Sequence, residues 1–226
     1  MLALATTDYV STHKGTLPVV LAAGHGGRAV PAGVAERFGV WPGFVTKRDE
    51  WTAEIAMGVA EGLLALLGEA PSVVVARFGR KYIDANRVPQ LAYEAPRMRA
   101  WQIYRAYHSA IRKVCKTAKT GLLLDIHGTS INTADLYIGT IYGQSVGSQW
   151  IETSLAKLLA NVGYRVVFDH PRLTGGLTVA WHGAWAGGLD AIQLEIAKPL
   201  RTTQVARTTL IKRLVSVLAV VVNDYK

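Results

Sequence analysis

Two rhythms of apolar and polar positions alternate along this chain. Unbroken or period-two apolar runs at residues 17–23, 72–78, 121–126, 136–141, 165–168 and 190–196 predict β-strands. Between them, residues 51–67 place Ile55, Val59, Leu63, Leu66 and Leu67 near helical spacing, and residues 95–119, 149–161 and 202–222 also read as helices. The alternation predicts an α/β fold with a mixed, largely parallel sheet flanked by helices on both faces. No internal repeat or low-complexity segment interrupts it, so residues 1–226 are expected to form a single domain. Two connections, residues 24–47 and 169–188, are long and glycine-rich, and loops of that length in a compact domain are commonly functional.

Composition narrows the setting. Hydrophobic residues make up 50% of the chain, enough for one substantial core. No apolar run reaches the roughly 18 residues of a membrane span, since residues 210–222 are broken by Lys212, Arg213 and Ser216. The first residues lack a basic segment ahead of a long apolar one, so a cytoplasmic protein without a membrane partner is expected. Cys115 stands alone, which excludes an internal disulfide and a thiolate metal cluster and leaves packing as its role. The formal charge of +9 could signal nucleic acid, a membrane surface or an acidic small molecule, but it is scattered rather than massed and accompanies no nucleic-acid module, so a generally basic surface explains most of it and nucleic acid is not expected. Nothing in the pattern sets an oligomeric state.

The chemistry lies at the ends of the strands. "VVLAAGHGG" ends a strand at His25, between glycines that leave the imidazole uncrowded, and "GLLLDIHGT" repeats the design at His127. Ligands of open α/β sheets bind outside the carboxyl ends of strands, which puts both histidines in one zone. A hydrolytic zinc site needs such histidines plus a carboxylate, with one position left for water. "KRDEWTAEIA" offers that carboxylate at Asp49 or Glu50, although Asp49 also suits a helix N-cap. In "DAIQLEIAK", Ile192, Leu194 and Ile196 take one face of a strand and leave Gln193 and Glu195 on the other. A buried Glu195 would have its pKa raised towards a general base's range, and a buried ion pair is the alternative. "RFGRKYIDANR" gathers Arg77, Arg80 and Arg87 around Asp84 and Asn86, either to grip a substrate carboxylate or as a surface salt-bridge cluster, with Asp84 holding an arginine.

Taken in order, "AGHGG", "DEWTAEIA", "RFGRKYIDANR", "YRAYH", "LLDIHGT" and "IQLEIA" resemble the N-formylglutamate amidohydrolase family, over roughly residues 19–201. That family is similar in fold to zinc carboxypeptidases and aspartoacylases, and the aspartoacylase-like Arg…Asp-x-Asn-Arg stretch matches Arg80, Asp84, Asn86 and Arg87. The resemblance implies one zinc ion on His25, His127 and an acidic residue assigned to Asp49. It implies Glu195 as general base and acid, Arg80 as oxyanion donor, and Asn86 with Arg87 as receivers of a substrate carboxylate. The implied substrate is a small acidic N-acyl amino acid; peptide or cell-wall amide cleavage, or a basic binding protein without turnover, are the alternatives. Carboxypeptidases and aspartoacylases carry their acidic ligand three residues after the first histidine, where this chain has Arg28. His108 is expected to be a structural hydrogen-bond donor, His182 to lie in a loop that covers substrate, supplies a hydrogen bond or is a surface loop anchored by its tryptophans, and His13 and His170 to be structural.

Overall fold

The computed structural model describes residues 2–41, 43–118 and 121–225. In chain order the elements are β1 (Ala5–Thr6), β2 (Val10–His13), β3 (Val19–Ala23), α1 (Thr52–Leu67), β4 (Ser72–Ala76), α2 (Pro89–Ala92) and α3 (Arg97–Ala118). Then follow β5 (Leu122–Thr129), β6 (Leu136–Gly139), α4 (Gln149–Asn161), β7 (Val166–Phe168), α5 (Leu177–His182), β8 (Asp190–Ala197), α6 (Lys198–Thr202) and α7 (Gln204–Asp224). The strands form one mixed sheet in the order β1-β2-β4-β3-β5-β8-β6-β7. Its centre, β4-β3-β5-β8, is parallel throughout, while β2 and β6 join it antiparallel.

The central strands are apolar on both faces because helices cover both. Val19, Leu21 and Ala23, with Val73, Val75, Leu122, Leu124, Ile126, Ile192, Leu194 and Ile196, pack against α1, α4 and α7. The opposite face, with Val20, Ala22, Val74, Ala76, Leu123 and Ala191, packs against α3 and Val179 of α5. Towards the carboxyl ends the two faces part company. The first stays apolar through Ile126 and Ile196, whereas period-two alternation puts Asp125 and His127 of β5 and Gln193 and Glu195 of β8 on the second. The register pairs Asp125 with Gln193 and His127 with Glu195, so four buried polar side chains form one block on the sheet.

Several boundaries differ from those the pattern predicts. The strand predicted over residues 121–126 runs on to Thr129, so His127 lies within it rather than beyond it. The helix predicted over residues 95–119 begins at Arg97, behind Pro96, and Lys119 lies outside the described residues. The closing helix predicted over residues 202–222 is α7, which starts two residues later behind Thr203, whose hydroxyl accepts from the Ala206 N–H at 3.2 Å; the short α6 ahead of it was not expected. β1 and β2 were not expected: they are short, lie at the sheet's edge and carry too little apolar alternation to register. Residues 169–188 are not a structureless loop but contain α5 and a 3₁₀ turn. Among the described residues no helix is long and apolar enough to cross a membrane.

Candidate metal centre

The connection that leaves His25 comes back to it. After Ala29 bridges to Phe78 and the Arg37 N–H donates to the Lys81 carbonyl, the Asp49 N–H donates to the carbonyl of His25 itself at 3.0 Å. This return carries the Asp49 carboxylate to the histidine across an interval no local pattern encodes. Asp49 does not cap α1: the N-cap is Trp51, in a left-handed conformation at φ 69°, and the Thr52 hydroxyl donates to the Asp49 carbonyl at 2.9 Å. Glu50 turns away and faces Arg48 at 3.8 Å. The glycines around His25 reflect crowding rather than open space, since a Cβ on Gly27 would meet the Phe78 carbonyl oxygen at 2.4 Å and one on Gly26 would meet Ala53 at 2.9 Å. Arg28 is exposed and lies beside Trp51.

Three atoms converge. His25 Nδ1 lies 3.1 Å from His127 Nδ1 and 3.3 Å from Asp49 Oδ2, and His127 Nδ1 lies 3.1 Å from the same oxygen. The rear nitrogen of each ring faces a carboxylate, His25 Nε2 at 2.7 Å from Asp84 Oδ1 and His127 Nε2 at 2.8 Å from Asp125 Oδ2. A rear N–H donating to a carboxylate fixes the tautomer, so each neutral ring turns a lone pair forward. Two lone pairs and a carboxylate oxygen at this spacing repel one another unless a proton or a metal cation sits among them. A tetrahedral ion with bonds of about 2.0 Å would need ligand atoms about 3.3 Å apart, which this triangle provides. His25, Asp49 and His127 are all buried and form a set that could hold a metal ion.

The electrostatics of the site point the same way. Burial opposes a second proton on His127, but Asp125, Asp49 and Glu195 outweigh it and raise its pKa well above the ordinary value. Burial would also raise the Asp49 pKa, but His127, His25 and Arg80 hold it far below the usual carboxylate range. For Glu195 burial prevails: with Asp49 nearby its pKa is raised, although His127, His25 and Arg80 pull against it.

Arg80 donates from Nε to Asp84 Oδ2 at 3.1 Å and from Nη1 to Asp49 Oδ1 at 3.2 Å, and Nη2 takes part in neither bond. Asp84, grouped with Asn86 and Arg87 at the substrate end and expected to hold an arginine, lies beneath the site at 1% exposure, where it binds Arg80 and is also held by His25, Arg37 and the Asn86 N–H. Asn86 donates to Gln193 Oε1 at 2.9 Å and accepts from the Thr178 N–H at 2.9 Å, while Gln193 in turn donates to Glu195 Oε1 at 3.1 Å. Arg87 is half-buried and donates to the Asn86 and Gly43 carbonyls. Asp125 and Arg37 received no role from the sequence. Asp125 was within reach of it, since Asp-x-His puts both side chains on one face of a strand, whereas Arg37 sits mid-loop with no signal.

His182 lies on a helix rather than in a loop. It is buried on α5 and stacks on His108, whose Nε2 donates to the Ala85 carbonyl at 3.0 Å and whose Nδ1 lies 3.1 Å from His182 Nε2.

A family model for N-formylglutamate amidohydrolase matches residues 89–201, half of the chain, including His108, His127 and Glu195. The chain belongs to that family. It is therefore a member of a family of amidohydrolases, and its fold agrees with the family's. A crystal structure of N-formylglutamate amidohydrolase from Ralstonia eutropha is similar with a TM-score of 0.73 and 18% identity, over 97% of this chain and 98% of that one. A gene product from Agrobacterium tumefaciens is similar with a TM-score of 0.68 and 14% identity, over 96% of each chain. A metallo-carboxypeptidase from Burkholderia cenocepacia shares the fold more loosely, with a TM-score of 0.57 and 10% identity, over 96% of this chain and 61% of that one. No curated protein sequence matches the chain.

Proposed function

We propose that this family member is a zinc-dependent amidohydrolase that cleaves the amide bond of a small acidic N-acyl amino acid of the N-formylglutamate type. The observation that carries the reading is the convergence of His25 Nδ1, His127 Nδ1 and Asp49 Oδ2 within 3.3 Å, with Asp84 and Asp125 behind the rings. Those three side chains would hold the ion, which when bound supplies Lewis acidity to a water and to a substrate carbonyl.

Glu195 is the base. Its buried carboxylate takes the proton of the attacking water and returns one to the departing amine nitrogen, and its raised pKa suits both transfers. Gln193 orients it through the 3.1 Å hydrogen bond to Oε1. Arg80, fixed by Asp84 and Asp49, offers Nη2 to the carbonyl oxygen as negative charge develops there. The substrate carboxylate is met by Asn86 and Arg87, whose side-chain nitrogens keep hydrogens beyond those used within the protein. Asp84 contributes by holding His25 and Arg80, not by touching substrate. The whole chain acts as one catalytic domain.

The test pairs metal analysis with hydrolysis of a panel of N-formyl and N-acetyl amino acids. Glu195→Gln is expected to keep its zinc and lose roughly 10²–10⁴ in turnover. A wild-type protein that takes up no zinc and hydrolyses nothing in the panel would overturn the reading. Turnover of peptides in preference to N-acyl amino acids would move it to a carboxypeptidase-like activity.

A further inference from the structure

Arg201 stands at the end of α6, just after β8, and is 6% exposed. Among the described residues it pairs with no carboxylate. Its donors go to three main-chain carbonyls instead: Nη1 to Glu50 at 2.9 Å, Nε to Ile196 at 3.3 Å and Nη2 to Thr129 at 3.4 Å. Each of these carbonyls lies one or two residues beyond a residue of the centre: Glu50 follows Asp49, Ile196 follows Glu195, and Thr129 is the second residue after His127. Burying a guanidinium with no carboxylate in direct contact is costly, and burial lowers its pKa although Asp49, Glu50 and Glu195 lie near enough to favour its charge. A planar fork of five donors has one advantage in return, in that it binds several chain segments in a fixed mutual orientation.

From this we infer that Arg201 is a positioning residue that locks the segments carrying Asp49, His127 and Glu195 into one geometry. The inference rests on the metal centre proposed above. Two further contacts bear on it. Gly128, between His127 and Thr129, leaves room for the guanidinium, since a Cβ there would meet Arg201 Nε at 2.5 Å. Arg207 donates to the Arg201 carbonyl at 2.9 Å and lies 3.9 Å over the ring of Trp51, gripping the same corner that delivers Asp49.

The test uses the full chain as Arg201→Lys, Arg201→Ala and Gly128→Ala. Zinc affinity is measured by competition with a chromogenic chelator well below the unfolding temperature, and kcat and KM on an N-acyl amino acid. Lysine keeps the charge and loses the fork, and Gly128→Ala keeps Arg201 and displaces it. All three are expected to weaken zinc binding about 10–100-fold, the scale seen when groups behind metal ligands are removed. They should lower kcat about tenfold or more with KM within about threefold. Methylguanidinium should restore part of the zinc affinity of Arg201→Ala. Wild-type zinc affinity and kcat in folded Arg201→Lys and Gly128→Ala would overturn the inference even if both unfold at lower temperature, and these two variants decide it if Arg201→Ala does not fold. A wild-type protein that binds no zinc would instead overturn the metal centre itself.

Discussion

Four of the six histidines are buried in two contacting pairs, and their surroundings differ. At the front, His25 and His127 meet edge to face with ring centroids 4.7 Å apart, and each has a buried carboxylate behind it. At the back, His108 and His182 stack at 5.4 Å, and the pair ends on a backbone carbonyl. Burial pushes His108 down to about 4 and His182 to about 3, so both stay neutral, whereas Asp125 and its neighbours overcome burial at His127. Burial by itself therefore does not prepare an imidazole for a cation. The carboxylate behind the ring does, and its absence leaves the back pair to brace the loop that carries Asp84 and Asn86.

The comparison can be broken in order of expected effect. His127→Ala should remove zinc and lower turnover by roughly 10³-fold or more, as loss of a ligand removes the Lewis acid with it; metal content and kcat/KM report both. Asp125→Asn keeps the ring but weakens its backing, and should lower zinc affinity about 10–100-fold in a chelator competition. Because the raised pKa of His127 means that zinc displaces a proton, zinc affinity should climb as pH rises through the neutral range, with proton release seen in a weakly buffered titration. His182→Phe should change zinc affinity by less than about twofold while costing about 1–3 kcal/mol of stability in urea unfolding, because it leaves the buried His108 acceptor unpaired. An effect on zinc as large as that of Asp125→Asn would erase the distinction between the pairs.

The back pair also makes a pH prediction of its own. His108 and His182 bind protons less readily folded than unfolded, where histidine titrates near about 6.5. Their contribution to stability is present in full above that value and is lost as pH falls towards about 4 and then about 3. Urea midpoints measured from pH 7 down to pH 4 should show this decline, and His182→Phe should flatten it.

The continuous apolar runs of β3, β4 and β5 made the central sheet legible, since such runs have few other uses in an α/β chain. Two of the converging groups, His25 and His127, could be placed because each sits at the polar end of such a run. Asp49 could be named only beside Glu50, because what separates them is a loop returning to the His25 carbonyl. Arg37, Arg201 and the grip of α5 on Asn86 were illegible for a similar reason: they are contacts between distant segments, made by side chains whose spacing in sequence carries no period. Cys115 was readable from its helical surroundings, and burial pushes its thiol up to about 12.

The strand order has a consequence for how this molecule forms. β4, β3, β5 and β8 are parallel neighbours, and parallel strands cannot be joined by a tight hairpin. Every pairing at the centre of the sheet must first close a long stretch of chain, an entropic cost met before any contact rewards it. The one short antiparallel turn among the described strands, between β1 and β2, lies at the far edge. Refolding should accordingly be slow for a chain of this size and set by topology. Until β5 and β8 zip together their apolar edges are open to other chains, and His127 and Glu195 come face to face only when that pairing is complete.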